Sequence, residues 1–405
     1  MLFDPQYRIQ TIFALLFFHP SQPAAAAFTD IHNIASAKID SFAGGLSSWT
    51  KFQAHTPRNL EKRAGINTNP NGSTFLWLSQ DVYAGKTFFD RWDFFDYADP
   101  TGGTVNFLNR SEAIRRNFTY VESNGTVVMK ADMESALPTG VNRDSIRIQS
   151  QARYNSGLFI LDLTRAPWGC AIWPAFWTTN ENWPWNGEID IIEGVHDNQH
   201  NQIAWHTAPG CYLDPTLNFT GTVVSQSRQN CDATINNNDG CGVTEWSRAS
   251  YGPYFESQGG GVIAMKWDED GIAVWSFYRA AIPGDVIAET PVPSTWGPPS
   301  AILGPAKCNI TNFFHNHTIV FDITFCGVWA GNSYATSGCP GTCAQRLMDP
   351  ANFVNASWHI NSLKVYKKVL LNGVRPTSDS ITKIDLSRCG YFLLLTMLLK
   401  LALLI

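Results

Sequence analysis

The chain has 405 residues and a formal net charge of −5, with 44% hydrophobic, 13% aromatic and only 16% charged residues. Soluble proteins average about 25% charged residues, so this chain is weakly charged and rich in aromatics, and its acidic balance offers no basic footprint for nucleic acid. The length accommodates one large domain with extensions and does not require two.

Arg8 precedes an apolar run from Ile12 to Phe18, and small residues follow at Ala24 to Ala27. A charged start, an apolar stretch and a small-residue cleavage site form a signal peptide. We expect residues 1–27 to be removed near Ala26 or Ala27 and the protein to be secreted, although Asp4 is unusual in such a leader. Residues 28–74 are polar and without periodicity, and read as a variable extension. Beyond them, strands are predicted at Val127–Asp132, Ser145–Gln149, Gly157–Asp162, Gly261–Trp267, Ile272–Phe277, Ile319–Thr324 and Trp358–Lys367. Short β-prone runs punctuated by Gly, Pro and Asn predict an all-β sandwich or barrel. No internal repeat or heptad pattern appears.

The most informative stretch is Asn186-Gly187-Glu188-Ile189-Asp190-Ile191-Ile192-Glu193-Gly194. Side chains alternate along a strand, so Glu188 and Asp190 share a face while Glu193 should point the other way. One extra residue near Ile191 or Ile192, looped out as a β-bulge, returns Glu193 to the acidic face. The two glutamates then lie about 13 Å apart at their α-carbons. Side chains leaning inward approach the separation of about 5–5.5 Å that a retaining glycosidase needs between its carboxyls. The plain alternative is a solvated strand face. Like charges crowded on one strand repel, and the intervening residues are isoleucines, so chemistry is the better reading.

Nine cysteines are present, eight of them between Cys170 and Cys343 and one, Cys389, in the tail. None falls in a convincing zinc pattern. An even set in a secreted domain permits four disulfides, with connectivity left open. Eight Asn-x-Ser/Thr sequons, from Asn71 to Asn355, point to the same compartment. After a polar spacer, Tyr391 to Ile405 is almost wholly apolar, shorter than the roughly 20 residues of a spanning helix. With small residues at Ser378, Asp379 and Ser380, the segment 371–405 resembles a GPI-attachment signal. Lys400 argues against that, and a tail from an imperfect gene model is the alternative. The only membrane link expected is this anchor.

Glu188-x-Asp190-x-x-Glu193 resembles the signature of glycoside hydrolase family 16 in its bulged form. The flanks agree: Gly169-Cys170-Ala171-Ile172-Trp173-Pro174-Ala175-Phe176-Trp177 before it, Asn201-Gln202-Ile203-Ala204-Trp205-His206 after it, and Phe325-Cys326-Gly327-Val328-Trp329-Ala330-Gly331-Asn332 further on. The similarity is to fungal laminarinase-like endo-β-1,3(4)-glucanases. It implies a β-jelly roll of two curved antiparallel sheets (a concanavalin A-like fold) over residues 75–370. It also implies a neutral β-glucan substrate, a monomer, no cofactor and no catalytic metal. By the same resemblance Glu188 is the nucleophile, Glu193 the acid/base, and Asp190 the group that holds and tunes them. His206 is expected near the acid/base side. Trp177, Trp183, Trp185, Trp205 and Trp329 are candidate sugar platforms, with Asn186 and Asn332 bonding sugar hydroxyls and Trp173 assigned to the core. His196, Asp197 and His200 read as a polar loop. Val328 stands where relatives often carry Asp, and Trp183-Pro184-Trp185 replaces a smaller polar residue. A wall transglycosylase and a noncatalytic glucan-binding module are the competing functions. The extra residue between Asp190 and Glu193 disfavours the first, and the complete acidic set the second.

Overall fold

The computed structural model describes residues 65–196 and 199–371. The leader, most of the extension, Asp197, Cys389 and the apolar tail lie outside the described residues.

Two antiparallel sheets form the body. One has eight strands in the order Thr222–Val223, Cys241–Thr244, Gln202–His206, Glu188–Glu193, Ile172–Thr179, Thr318–Phe325, Arg147–Ser150, Trp92–Phe94. The other is built on Ile66–Thr68, Thr74–Ala84, Ser357–Leu370, Gly157–Arg165, Gly261–Asp268, Gly271–Tyr278 and Ala301–Leu303, with Thr119–Val121 and Val127–Lys130 alongside. The predicted strands are all present. The sheet begins earlier than expected, because Ile66–Thr68, within the segment read as an extension, pairs with Thr74–Leu76.

Alternation divides each strand of the eight-stranded sheet between two environments. Phe176 and Phe321, cross-strand partners, stack at 4.5 Å between the sheets, and Ile148 lies beside them in register. Trp92, Trp205, Trp267 and Trp358 are fully buried in the same core. Burying side chains of this size contributes roughly 1.5–3 kcal/mol each. Four disulfides, Cys170–Cys339, Cys211–Cys308, Cys231–Cys241 and Cys326–Cys343, use the eight domain cysteines and tie the loops of the eight-stranded sheet to one another.

Candidate active site

The strand Glu188–Glu193 lies between Ile172–Thr179 and Gln202–His206. Against Ile172–Thr179 the register runs Thr179–Glu188, Thr178–Ile189, Trp177–Asp190, then skips Ile191 to Phe176–Ile192 and Ala175–Glu193. Ile191 is therefore the extra residue of a β-bulge. Cross-strand partners share a face, so Glu188, Asp190 and Glu193 all emerge on the open face, away from the core. Ile189, Ile191 and Ile192 are completely buried on the other side.

A bulge leaves backbone groups without ladder partners. Pairing with Gln202–His206 stops at Asp190–Ala204, and the buried Asn201 takes over. Its Nδ2 donates to the Ile191 carbonyl at 2.7 Å, and its Oδ1 accepts from the Glu193 amide at 2.9 Å. One side chain thus fixes the bulge and the backbone of Glu193. At the start of the strand, Gly187 has φ of +81°, and a Cβ there would lie 2.5 Å from the Phe313 carbonyl. Only glycine permits both that backbone and that approach.

A fourth carboxyl joins the three. Asp322 pairs with Ala175 and so lies in the same cross-sheet row as Glu193. Its Oδ2 accepts from Trp177 Nε1 at 3.1 Å. Burial is the leading cause that pushes Glu188, Asp190 and Glu193 each up to about 8 and Asp322 to about 7. Mutual repulsion adds to it: Asp190 acts on both glutamates, and Asp322 acts on Asp190 and Glu193. Positive charge opposes the rise: Arg147 favours ionised Glu188 and Asp322, and Arg228 favours ionised Asp190. Crowded carboxyls of this kind share protons near neutral pH, the condition in which one group serves as acid while another stays ionised.

His206 sits beside Glu188 across the strands. Its Nε2 is 3.3 Å from Asp190 Oδ2 and 3.9 Å from Glu188 Oε1, and its Nδ1 pairs with Asn238 Oδ1 at 2.9 Å. His206 therefore lies against the Glu188–Asp190 end of the acidic row. Asn238 comes from a loop in which Asn236, Asn237 and Asn238 all hold positive φ, a conformation Asn tolerates better than most residues. Glu188, Asp190 and His206 bring ligand atoms within 4.8 Å of one another. A cation at that spot would occupy the same oxygens that sugar chemistry uses.

The aromatic candidates divide. Trp177 is half-buried on the open face under Arg147, whose guanidinium lies 5.0 Å from its ring. Trp183 and Trp185 are exposed on the turn that leads into Glu188. Trp329 meets Trp173 edge to face at 5.7 Å. Trp205 is not a platform: it pairs with Ile189, so alternation sends its indole into the core, where it is fully buried. Trp173 corrects in the opposite direction. It shares a face with Ala175 and Trp177, and its Nε1 donates to Glu193 Oε1 at 2.8 Å, so it belongs to the acidic site. Asn186 is tied into its own turn, with Nδ2 on Asn180 Oδ1 at 3.0 Å and its carbonyl against His317. Asn332 is exposed and donates to the Val328 carbonyl at 2.7 Å. Val328 itself is exposed beside Trp329. His196 pins the neighbouring loop through Ala171 and Ser333.

Carboxyls gathered on the open face of a jelly-roll sandwich, with indoles among them, define a glycosidase. The comparisons with known proteins agree. A family model described as "XgeA-like, catalytic GH16 domain" matches residues 92–366. An endo-1,3(4)-beta-glucanase of Arthroderma benhamiae is 40% identical over 316 residues, covering 75% of this chain and 67% of that protein. Laminarinase 16A of Phanerochaete chrysosporium, solved with β-glucans in donor and acceptor sites, is 37% identical with a TM-score of 0.68, covering 72% of this chain and 99% of that one. An elongating family 16 beta-1,3-glucosyltransferase is 36% identical at the same TM-score, covering 72% and 100%. The chain belongs to glycoside hydrolase family 16.

Sequence reasoning missed Asp322, Asn201 as a bulge clamp, and Asn238. Asp322 carried a readable signal, since it is the lone charged residue in a strand of apolar residues and threonines whose eight residues are all buried. Asn238 carried none.

Proposed function

We propose that the protein is an endo-acting hydrolase of β-1,3- or mixed β-1,3/1,4-glucan that works by double displacement with retention. The observation that carries this reading is the Ile191 bulge, which puts Glu188, Asp190 and Glu193 on one face. Glu188 attacks the anomeric carbon as Glu193 gives its proton to the departing glycosidic oxygen. The bond to the leaving sugar breaks and a glycosyl ester forms on Glu188. Glu193 then takes a proton from water, the water oxygen attacks the anomeric carbon, and Glu188 is released. Asp190 lies between the two and shares a proton with them. Trp173 aims the Glu193 carboxyl, and His206 lies against Glu188 and Asp190.

The test is product analysis on laminarin, barley mixed-linkage glucan and lichenan, with the full chain and its Glu188→Gln and Glu193→Gln variants. Oligosaccharides from the wild type, with turnover lower by about 10³-fold or more in either variant, are the expected result. Near-normal activity in a correctly folded variant overturns the residue roles. A second reading, transglycosylation through the same glycosyl ester, is favoured by the likeness to an elongating glucosyltransferase. Longer products on adding acceptor sugars would establish it.

Secretion belongs to the same proposal. Four disulfides need an oxidising compartment, and all eight sequon asparagines except the half-buried Asn355 are exposed.

A further inference from the structure

The sheet face that carries the acidic row continues beyond it toward the far edge. Asp190 pairs with Ala204, and Ala204 with Gly242; both are buried there, with the Val224 and Arg228 side chains lying over Gly242. Gln202 and Thr244 form the next pair on the same face, and Thr222 joins them from the edge strand. The register persists past the strand ends, because the Glu245 amide donates to the Asn201 carbonyl at 2.9 Å. By that register His200 and Trp246 are the following pair on the open face.

The opposite parity is independently fixed. Glu245 is buried on the inner side, where its carboxyl accepts from Ser276 and Ser300 at 2.7 and 2.6 Å, a serine on the second sheet and one on the loop just before its edge strand. With Glu245 anchored inward, Trp246 is directed outward. Its indole is 56% exposed, yet it is held on two edges. Nε1 donates to Thr222 Oγ1 at 2.9 Å, and the His200 ring stands against it at 5.1 Å. A large aromatic surface left open while its polar atom is satisfied within the protein gains nothing from folding. Such a group is preorganised for a ligand with an apolar face and polar rim.

We propose that Trp246, braced by His200 and Thr222, is an outer sugar platform that extends the glucan-binding face beyond the end of the Cys241–Thr244 strand. Gln202 and Thr244 flank it as partners for sugar hydroxyls. This rests on the glucan reading above and adds a binding position to it. A chain long enough to run past the Val224 and Arg228 side chains that cover Gly242 reaches the indole, and a short one does not.

The experiment compares wild type, Trp246→Ala and Trp246→Phe on a laminari-trisaccharide and a laminari-heptasaccharide, with melting temperatures measured in parallel. Trp246→Ala is expected to lower kcat/KM on the heptasaccharide by about tenfold, equivalent to about 1.4 kcal/mol of lost binding, and to leave the trisaccharide unchanged. Trp246→Phe keeps a ring and is expected to recover most of the loss. Equal effects on both lengths, or a Phe variant as weak as Ala, would overturn the platform. A wild type that cleaves no β-glucan at all would instead overturn the substrate reading, and the platform with it.

Discussion

Replacing Trp173 by Phe tests the electrostatics of the acid most directly. The substitution keeps a ring against Trp329 and Val195 and removes the hydrogen bond that the Glu193 carboxyl accepts from Nε1 at 2.8 Å. That donor favours the ionised carboxyl. Burial and Asp190 push the other way and hold Glu193 up at about 8. A hydrogen bond to a charged group contributes about 1.5–3 kcal/mol, and one pKa unit corresponds to about 1.4 kcal/mol. Loss of the bond should therefore raise the Glu193 pKa by about one unit, after allowing for water that takes over part of the role. Glu193 must be protonated to act as acid, so its titration sets the basic limb of kcat/KM against pH. We expect Trp173→Phe to move that limb about one unit to higher pH on soluble laminarin, with the acidic limb unmoved. A basic limb that stays in place or moves to lower pH would refute the assignment of Glu193 as acid, or of Trp173 as its partner.

Asn201→Ala leaves a buried amide and carbonyl without partners, which costs about 2–4 kcal/mol, and frees the bulge. Chemical denaturation and turnover should both register it, and a variant of full stability would show that the backbone of the bulge holds itself. Glu245 is buried and raised to about 7 from its ordinary 4.5, chiefly by burial. Because the folded value is the higher one, stability from this group is complete below about pH 4.5 and declines as pH rises through about 7. Glu245→Gln should accordingly melt higher than wild type at pH 8, by up to roughly 3 kcal/mol of stability, and no higher at pH 4. Trp205→Ala should cost about 3–5 kcal/mol of stability, read by denaturant titration, whereas Trp177→Ala should act mainly on KM. Replacing Cys231 and Cys241 by Ser opens a 10-residue separation. It should destabilise by up to about 3 kcal/mol and weaken the hold of Asn238 on His206, seen as lower kcat with the melt followed alongside.

Legibility followed periodicity. Alternation alone placed Glu188 with Asp190 and required an extra residue for Glu193, and Ile191 supplies it. The same rule, carried across strands, assigns Trp205 to the core and Trp173 to the site, but only once it is known which residues pair, and register between strands is set by tertiary packing. Asp322 enters through a strand more than a hundred residues away, and Asn238 through a loop in left-handed backbone closed by a disulfide. Gly240, also at positive φ, shows how tight that closure is, since a Cβ there would lie 2.6 Å from His206 Nδ1. Local sequence has no means of announcing such contacts.

The acidic strand also explains how four neighbouring carboxyls are tolerated. Like charges on one face oppose folding, and desolvation adds to the cost. Regular alternation would send Ile191 to the core but leave Ile192 on the open face and turn the final glutamate inward. The bulge lets Ile189, Ile191 and Ile192 all face inward, each completely buried, for a combined stabilisation of roughly 5–9 kcal/mol. The remaining excess of charge is met by protonation near neutral pH and by Arg147 and Arg228. The device that gathers the reactive groups thus adds core on the reverse side of the same six residues. Moving the bulge would disturb the packing and the chemistry together.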